Sequence, residues 1–254
     1  MSVALIILGL IAAIAIVYLF CGLLDIKRND RLTREVVRKY FRGGGRTTWH
    51  MSPFNLFIDL LCYGNRYIYR MDELPEDCQG ELKDLFDTFQ RKRNYLLHEL
   101  AEKTQGKKKA MIFFKWYGQN IENTLRVEEF EREFRYIKTI GISIFNQRQS
   151  TSAHFGPLRL TLRVLYNLTP IEEESVYIQV GSRKHVWFND PLFIFDDTLI
   201  HQSFNESDKP RYCVFVDIIR PSFAHNTLSF LVDIVHKVFV NFNRLFYKHW
   251  EFIN

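Results

Sequence analysis

The sequence predicts a mainly β chain with flanking helices, a small β-barrel or sandwich behind an N-terminal transmembrane helix. Three observations carry this prediction. Val3–Leu24 is an uninterrupted apolar run. Residues 140–218 fall into short stretches of strand period, parted by turn residues such as Gly181-Ser182 and Asn189-Asp190-Pro191. Two stretches of helical period, Asp77–Lys103 and Thr227–Phe252, flank them.

The apolar run spans about 33 Å at 1.5 Å per residue, enough to cross a hydrocarbon core. A cleaved signal peptide would have a shorter apolar region after a basic start. Here nothing basic precedes the run, and Lys27, Arg28, Arg31 and Arg34 follow it. The positive-inside rule then places the bulk of the chain in the cytoplasm. Residues 29–50 are basic and include Gly43-Gly44-Gly45, which reads as a solvated linker or a contact for anionic headgroups. The aromatic-rich residues 52–71 either pack on the domain or lie at the interface.

In Asp77–Lys103, Leu82, Leu85, Phe86, Phe89, Leu96, Leu97 and Leu100 form the apolar stripe of an amphipathic helix. Phe113–Gly118 reads as a strand and residues 127–138 as a short charged helix. Arg159–Leu168 alternates, with Leu160, Leu162, Val164, Tyr166 and Leu168 on one face and Arg159, Thr161, Arg163, Leu165 and Asn167 on the other. Val176–Val180, Val186–Phe188, Leu192–Phe195 and Tyr212–Ile218 are further strands. Thr227–Phe252 is a long amphipathic helix carrying Trp250, packed on the barrel or lying among headgroups.

The 254 residues leave one domain of ordinary size once the apolar segment is set aside, and the sequence contains no repeat. A formal charge of +5, much of it beside the apolar run, points to an anionic membrane surface and not to nucleic acid. Aromatics make up 15% of the chain, which suits a packed β core or a surface that meets lipid. Cys21, Cys62, Cys78 and Cys213 lack metal spacing; free thiols are expected, with a Cys62–Cys78 bridge as the alternative.

His154 and His201 each precede a strand, so both can reach one barrel mouth, and open coordination positions there would suit a mononuclear metal. Arg163 and Arg211, nearby in the same strand set, suit a dicarboxylate, because guanidinium pairs with carboxylate bidentately. On spacing alone, a lone histidine is more often a surface or core residue than a metal ligand. Asp196-Asp197 reads as a turn that also has the chemistry to hold His201. Asn205 and Asp208 read as loop residues, and His185, His225, His236 and His249 as surface or interface residues.

At these positions the sequence resembles a family. His154-Phe155-Gly156-Pro157, Leu162-Arg163, Phe195-Asp196-Asp197 with His201, then Arg211 and Asp217 with Arg220-Pro221, are similar to the aspartyl/asparaginyl β-hydroxylases. These are iron(II)- and 2-oxoglutarate-dependent dioxygenases on a double-stranded β-helix, of the jelly-roll or cupin-like kind. Lys115-Trp116-Tyr117-Gly118 and the apolar helix resemble the membrane-anchored lipid A hydroxylase branch. The resemblance implies that His154 and His201 ligate Fe(II) and form the catalytic set with Arg211. Arg211, helped by Ser143, would grip the distal carboxylate of 2-oxoglutarate. Arg163 would stand at the carboxylate nearer the iron, where O2 also binds. Gly156, where most relatives of the fold have an acidic ligand, would leave that position to water.

One residue departs from the pattern. Leu165 stands where the family usually has a histidine that contacts the co-substrate, a loss of roughly 1.5–3 kcal/mol. The implied division is an anchor over 1–26, a basic linker over 27–50, a dioxygenase domain over 51–224 and an amphipathic helix over 225–254. The implied substrate is a lipid A acyl chain. Peptidyl Asp/Asn hydroxylation and a catalytically impaired membrane scaffold are the alternatives.

Overall fold

The computed structural model describes residues 3–43, 48–239 and 250–253. Helix α1 (Val3–Ile26) is the apolar run, long and apolar enough to cross a bilayer, with nearly all its side chains exposed until its end. Its last turn differs: Gly22, Asp25 and Ile26 are buried against the domain. The basic stretch that follows is not a free linker. It forms α2 (Arg34–Arg42), capped by the Thr33 hydroxyl accepting from the Val36 N–H, with Val36 and Tyr40 buried. Next comes α3 (Ser52–Asp59), which packs beside the end of α1.

The strands β1 (Ile68–Tyr69), β2 (Lys109–Trp116), β3 (Gln119–Asn120), β4 (Ile137–Phe145), β5 (Gln149–Ser150) and β6 (Thr161–Asn167) appear in chain order. They are followed by β7 (Val176–Val180), β8 (Arg183–Val186), β9 (Leu192–Phe195), β10 (His201–Asn205), β11 (Arg211–Ile219) and β12 (Glu251–Phe252). The remaining helices are α4 (Glu76–Arg91), α5 (Arg93–Lys103) and α6 (His225–Phe239).

Two sheets result. The larger runs β1-β9-β6-β11-β4-β2-β12, with β3 beside β2; the smaller runs β5-β10-β7-β8. Facing sheets between which the chain passes back and forth in this jelly-roll manner make a double-stranded β-helix. Residues alternate across the large sheet, apart from register shifts at Asp217/Ile218 of β11 and Phe113/Lys115 of β2. Ile140, Ile142 and Ile144 of β4, Leu162 and Val164 of β6, and Val214, Val216 and Ile218 of β11 form one core with Leu82, Leu85, Phe89, Leu96 and Leu100 of α4 and α5. The opposite face, with Met111, Leu165, Phe195, Cys213 and Phe215, meets Val176, Ile178 and Val180 of the small sheet in a second core. The functional side chains belong to this inner layer.

Several sequence expectations are corrected. The helix over Asp77–Lys103 is two helices that break at Lys92. Residues 127–138 make only a 3-10 turn at Glu128–Phe130. Beyond it the chain turns and bends until β4 begins at Ile137, with Phe134 and Tyr136 buried and the Glu81 carboxylate accepting the backbone N–H groups of Arg135, Tyr136 and Ile137. The strand expected at Val186–Phe188 is Arg183–Val186, ending where Asn189 N–H turns back to the Val186 carbonyl. The terminal helix does not continue to Phe252: α6 ends at Phe239, and Glu251–Phe252 pairs parallel with β2. The helix residues expected over 240–249, and His249, lie outside the described residues. Leu228 and Val232 of α6 are fully buried against the sheet, while Phe230 on another face is exposed. All four cysteines are free thiols.

A candidate metal and carboxylate site

His154 and His201 face each other directly across an antiparallel bridge: His154 N–H donates to the His201 carbonyl at 3.0 Å and His201 N–H donates back at 2.9 Å. Residues opposed in such a pair send their side chains to the same face, and the ring centroids lie 4.2 Å apart. Each ring is oriented by a backbone carbonyl two residues earlier, Ser152 for His154 at 2.7 Å and Leu199 for His201 at 2.9 Å, both at Nδ1. A carbonyl only accepts, so Nδ1 carries the proton and Nε2 presents its lone pair. Burial, then the neighbouring His154, pull the pKa of His201 well below the usual histidine range. That of His154 is lowered as well, by desolvation first, although its exposed ring edge at the mouth keeps part of its hydration. Two adjacent neutral imidazoles on one face, each with its Nε2 lone pair free, fit a divalent metal.

The pair opens on a cavity of about 100 Å³ between the sheets. Ser143, Arg163, Leu165 and Arg211 all line it, so the structure brings together every residue singled out for the site. Ser143 stands opposite Cys213 in the β4–β11 register and donates to the Cys213 carbonyl. Arg211, 2% exposed, lies 4.5 Å from the Phe145 ring centroid and 5.6 Å from that of Trp187. Its buried Nε and Nη1 have no hydrogen-bond partner among the described residues. An isolated buried charge is costly unless an anion meets it, so this guanidinium fits the carboxylate of a small ligand. Arg163 differs. It donates to Asp217 at 2.6 Å and Asp197 at 2.9 Å, and stacks on Phe215 at 3.8 Å.

Gly156 is required by its surroundings. A Cβ built there would lie 2.6 Å from Oδ2 of Asp197, inside any real contact distance. The Asp197 carboxylate thus fills the space that an acidic side chain at 156 would need. Gly156 N–H also donates to the Asp197 carbonyl at 2.7 Å. Burial pushes the pKa of Asp197 up to about 7; Arg163 opposes that rise, and Asp217 and Asp196 add to it.

Asp196 points elsewhere, into a buried network of three carboxylates and three guanidiniums: Asp25, Asp59 and Asp196 with Arg28, Arg159 and Arg220. Burial alone would raise its pKa, but Arg220, Arg159 and Arg28 overcome this and hold it well below the carboxylate range. Asn205 is not a loop residue: fully buried, its amide donates to the carbonyls of Phe145, Asn146 and Lys209. His185 and His225 lie outside the cavity, against Phe193 and Tyr136. Sequence reasoning missed Trp250, expected near a membrane helix end, which lines the cavity with its ring 5.1 Å from Phe145. It also missed Phe145 and Trp187 as the aromatic walls of Arg211; nothing in their spacing marks them.

A profile of the aspartyl/asparaginyl β-hydroxylase family matches residues 77–221. A curated relative, an ornithine lipid ester-linked acyl 2-hydroxylase of Rhizobium tropici, is 33% identical over 159 residues, covering 61% of this chain and 52% of the relative. The chain therefore matches about half the length of that relative. Partial, weak structural likenesses include the TT1209 protein of Thermus thermophilus, at 19% identity and a TM-score of 0.28 over 36% of this chain and 80% of that one. Another is an oxidoreductase of the 2OG-Fe(II) oxygenase family from Burkholderia pseudomallei, at 12% identity and a TM-score of 0.27 over 34% of this chain and 44% of that one. The profile covers more than half of the chain and includes both histidines and both cavity arginines: the chain belongs to the aspartyl/asparaginyl β-hydroxylase family.

Proposed function

We propose that this protein uses iron(II), 2-oxoglutarate and O2 to hydroxylate an acyl chain of a membrane lipid, with lipid A the first substrate to test and an ornithine lipid the second. The observation that carries the reading is the unpartnered, buried Arg211 in the same cavity as two adjacent, neutral histidines. Iron with 2-oxoglutarate, when bound, supplies the oxidising power to place one oxygen atom of O2 into an unactivated C–H bond, the other leaving in succinate alongside CO2.

The chain's own residues supply the rest. His154 and His201 would hold the metal through Nε2, their rings fixed by the Ser152 and Leu199 carbonyls. Arg211 would donate to the distal carboxylate of the co-substrate, and Ser143 lines the same cavity. Arg163 holds the Asp197 carboxylate beside Gly156 and lines the same cavity, where it would help hold a co-substrate carboxylate. Met111, Leu165, Phe195, Phe215 and Trp250 keep water out. Leu165 makes one wall apolar where the family usually offers a hydrogen bond, so the co-substrate relies more heavily on Arg211.

The lipid reading is supported by α1, which is suited to a bilayer and docks on the domain, and by the lipid substrate of the Rhizobium relative. Exposed Lys27 and Arg31 beyond α1 favour a cytoplasmic domain; Arg28 is instead engaged in the buried network. The test is mass spectrometry of lipids from cells expressing the full chain or its His201→Ala variant. An added oxygen on an acyl chain with the wild type alone is the expected result. Unchanged lipids beside a newly hydroxylated Asp or Asn in protein would transfer the activity to peptides. No modification, together with purified protein free of metal, would leave a scaffold.

A further inference from the structure

We infer that the junction between the membrane helix and the domain is part of the metal site's framework, and that Asn29 is a positioning residue for His201. This rests on the metal reading above. The ring of His201 takes its direction from the Leu199 carbonyl at 2.9 Å. The loop that presents this carbonyl, residues 196–200, is gripped at every second position. Asp196 meets Arg28 at 3.0 Å. The Thr198 hydroxyl accepts from Arg159 Nε at 3.2 Å, and Arg159 in turn is clamped by Asp25 at the end of α1. Ile200 N–H donates to the Asn29 side-chain oxygen at 2.9 Å. Leu199 is thus bracketed by two residues tied to the junction.

Asn29 is built for this task. It is 4% exposed, and its amide nitrogen donates to the Ile26 carbonyl at 3.2 Å, so its oxygen is fixed relative to the last turn of α1. Asp30 grips the end of β7, the strand that pairs with β10. It accepts from Ser182 N–H at 2.9 Å and from the Ser182 hydroxyl, in the turn that follows Val180, the register partner of His201. A Cβ at Gly181, where φ is +55°, would collide with the Asp30 carboxylate, so this turn requires glycine on two grounds. The His154 loop is held from the same region. Tyr40, hydrogen-bonded to Asp25 at 2.7 Å, packs edge-on against Phe155, and Asn55 of α3 holds Pro157 and Arg159. Both histidine loops are therefore set by the segment that joins the bilayer helix to the barrel, and by reciprocity a bound metal stabilises that docking.

The test measures Co(II) affinity, with Co(II) as the probe metal, in the full chain held in detergent micelles. Outer groups that orient metal ligands typically contribute about 10- to 100-fold in affinity, and Asn29→Ala is expected to weaken Co(II) binding about tenfold. Glu81→Gln, which loosens the α4–β4 junction far from the cavity, is the control: it lowers the melting temperature without changing Co(II) affinity. Asp30→Ala, at an exposed position, removes the second grip and should weaken binding severalfold if Asn29→Ala does not fold. Wild-type affinity in either folded variant would overturn the inference while leaving the metal reading intact. No Co(II) binding by the wild type would overturn both.

Discussion

Arg211 is the residue on which the cavity's chemistry turns. Its guanidinium is buried between aromatic rings with no acid to meet it among the described residues. Arg211→Met is therefore expected to do two opposite things. Co-substrate affinity should fall about 10- to 100-fold, the weight of one charge-assisted hydrogen bond of about 1.5–3 kcal/mol. The ligand-free protein should melt no lower than the wild type, because a desolvated charge has been removed. Calorimetric titration and thermal melting read the two effects separately. At Gly156, Asp cannot restore an acidic metal ligand, since the Asp197 carboxylate already occupies the space. Gly156→Asp should lower the melting temperature and leave metal affinity no tighter; tighter binding would contradict the packing described here.

Asp197 also makes a pH prediction. Its pKa is raised in the fold to about 7, from an unfolded value near 3.9. The folded state therefore holds the extra proton between about pH 4 and 7, and the stability this contributes is lost as pH rises through that window. Asp197→Asn removes the titration. Relative to wild type, the variant should gain stability from pH 5 to pH 7.5, by at most about 1.4 kcal/mol per unit. A constant difference in melting temperature across that range would show that Asp197 is ionised throughout.

At the scale of elements, what the sequence reveals depends on how many faces of an element are buried. In β6 the alternation of Leu162 and Val164 against Arg163 is visible because the inner face carries polar site residues. In β4 and β11 every residue is buried on one side or the other, including the polar Lys138, Thr139, Ser143, Arg211 and Asp217, so polarity no longer marks the two faces and period two is blurred. The helical stripe of α4 and α5 is legible, but its break at Lys92 has no glycine or proline to announce it. Both histidines and both arginines are legible as an ordered set of motifs. Trp250 is not, because its place depends on β12 returning to β2, a pairing of residues far apart in sequence (Ala110 with Glu251). The buried network is likewise invisible, since Asp25 reads as the polar end of a membrane helix and Arg28 as its basic flank. Removing its centre tests it: Asp196→Asn leaves Arg28, Arg159 and Arg220 short of one acid and should cost about 3–5 kcal/mol of stability, seen as a large fall in melting temperature. Unchanged melting would mean that the surrounding acids already balance the three guanidiniums.

For the whole molecule, the arrangement joins a bilayer-suited helix to the histidine and arginine cavity through a buried, charge-balanced junction. The large sheet has helices on one face and the cavity on the other, so the site's walls are the inner layer of the core and move only if the core moves. The central claim is that His154 and His201 hold a metal to which a 2-oxo acid, gripped by Arg211, is added. Titrating the full chain with 2-oxoglutarate by calorimetry, without oxygen, with and without Fe(II), tests it most directly. Binding should require the metal, disappear in His201→Ala and weaken about 10- to 100-fold in Arg211→Met. Equal binding without metal, or an Arg211→Met protein that binds as the wild type does, would contradict it.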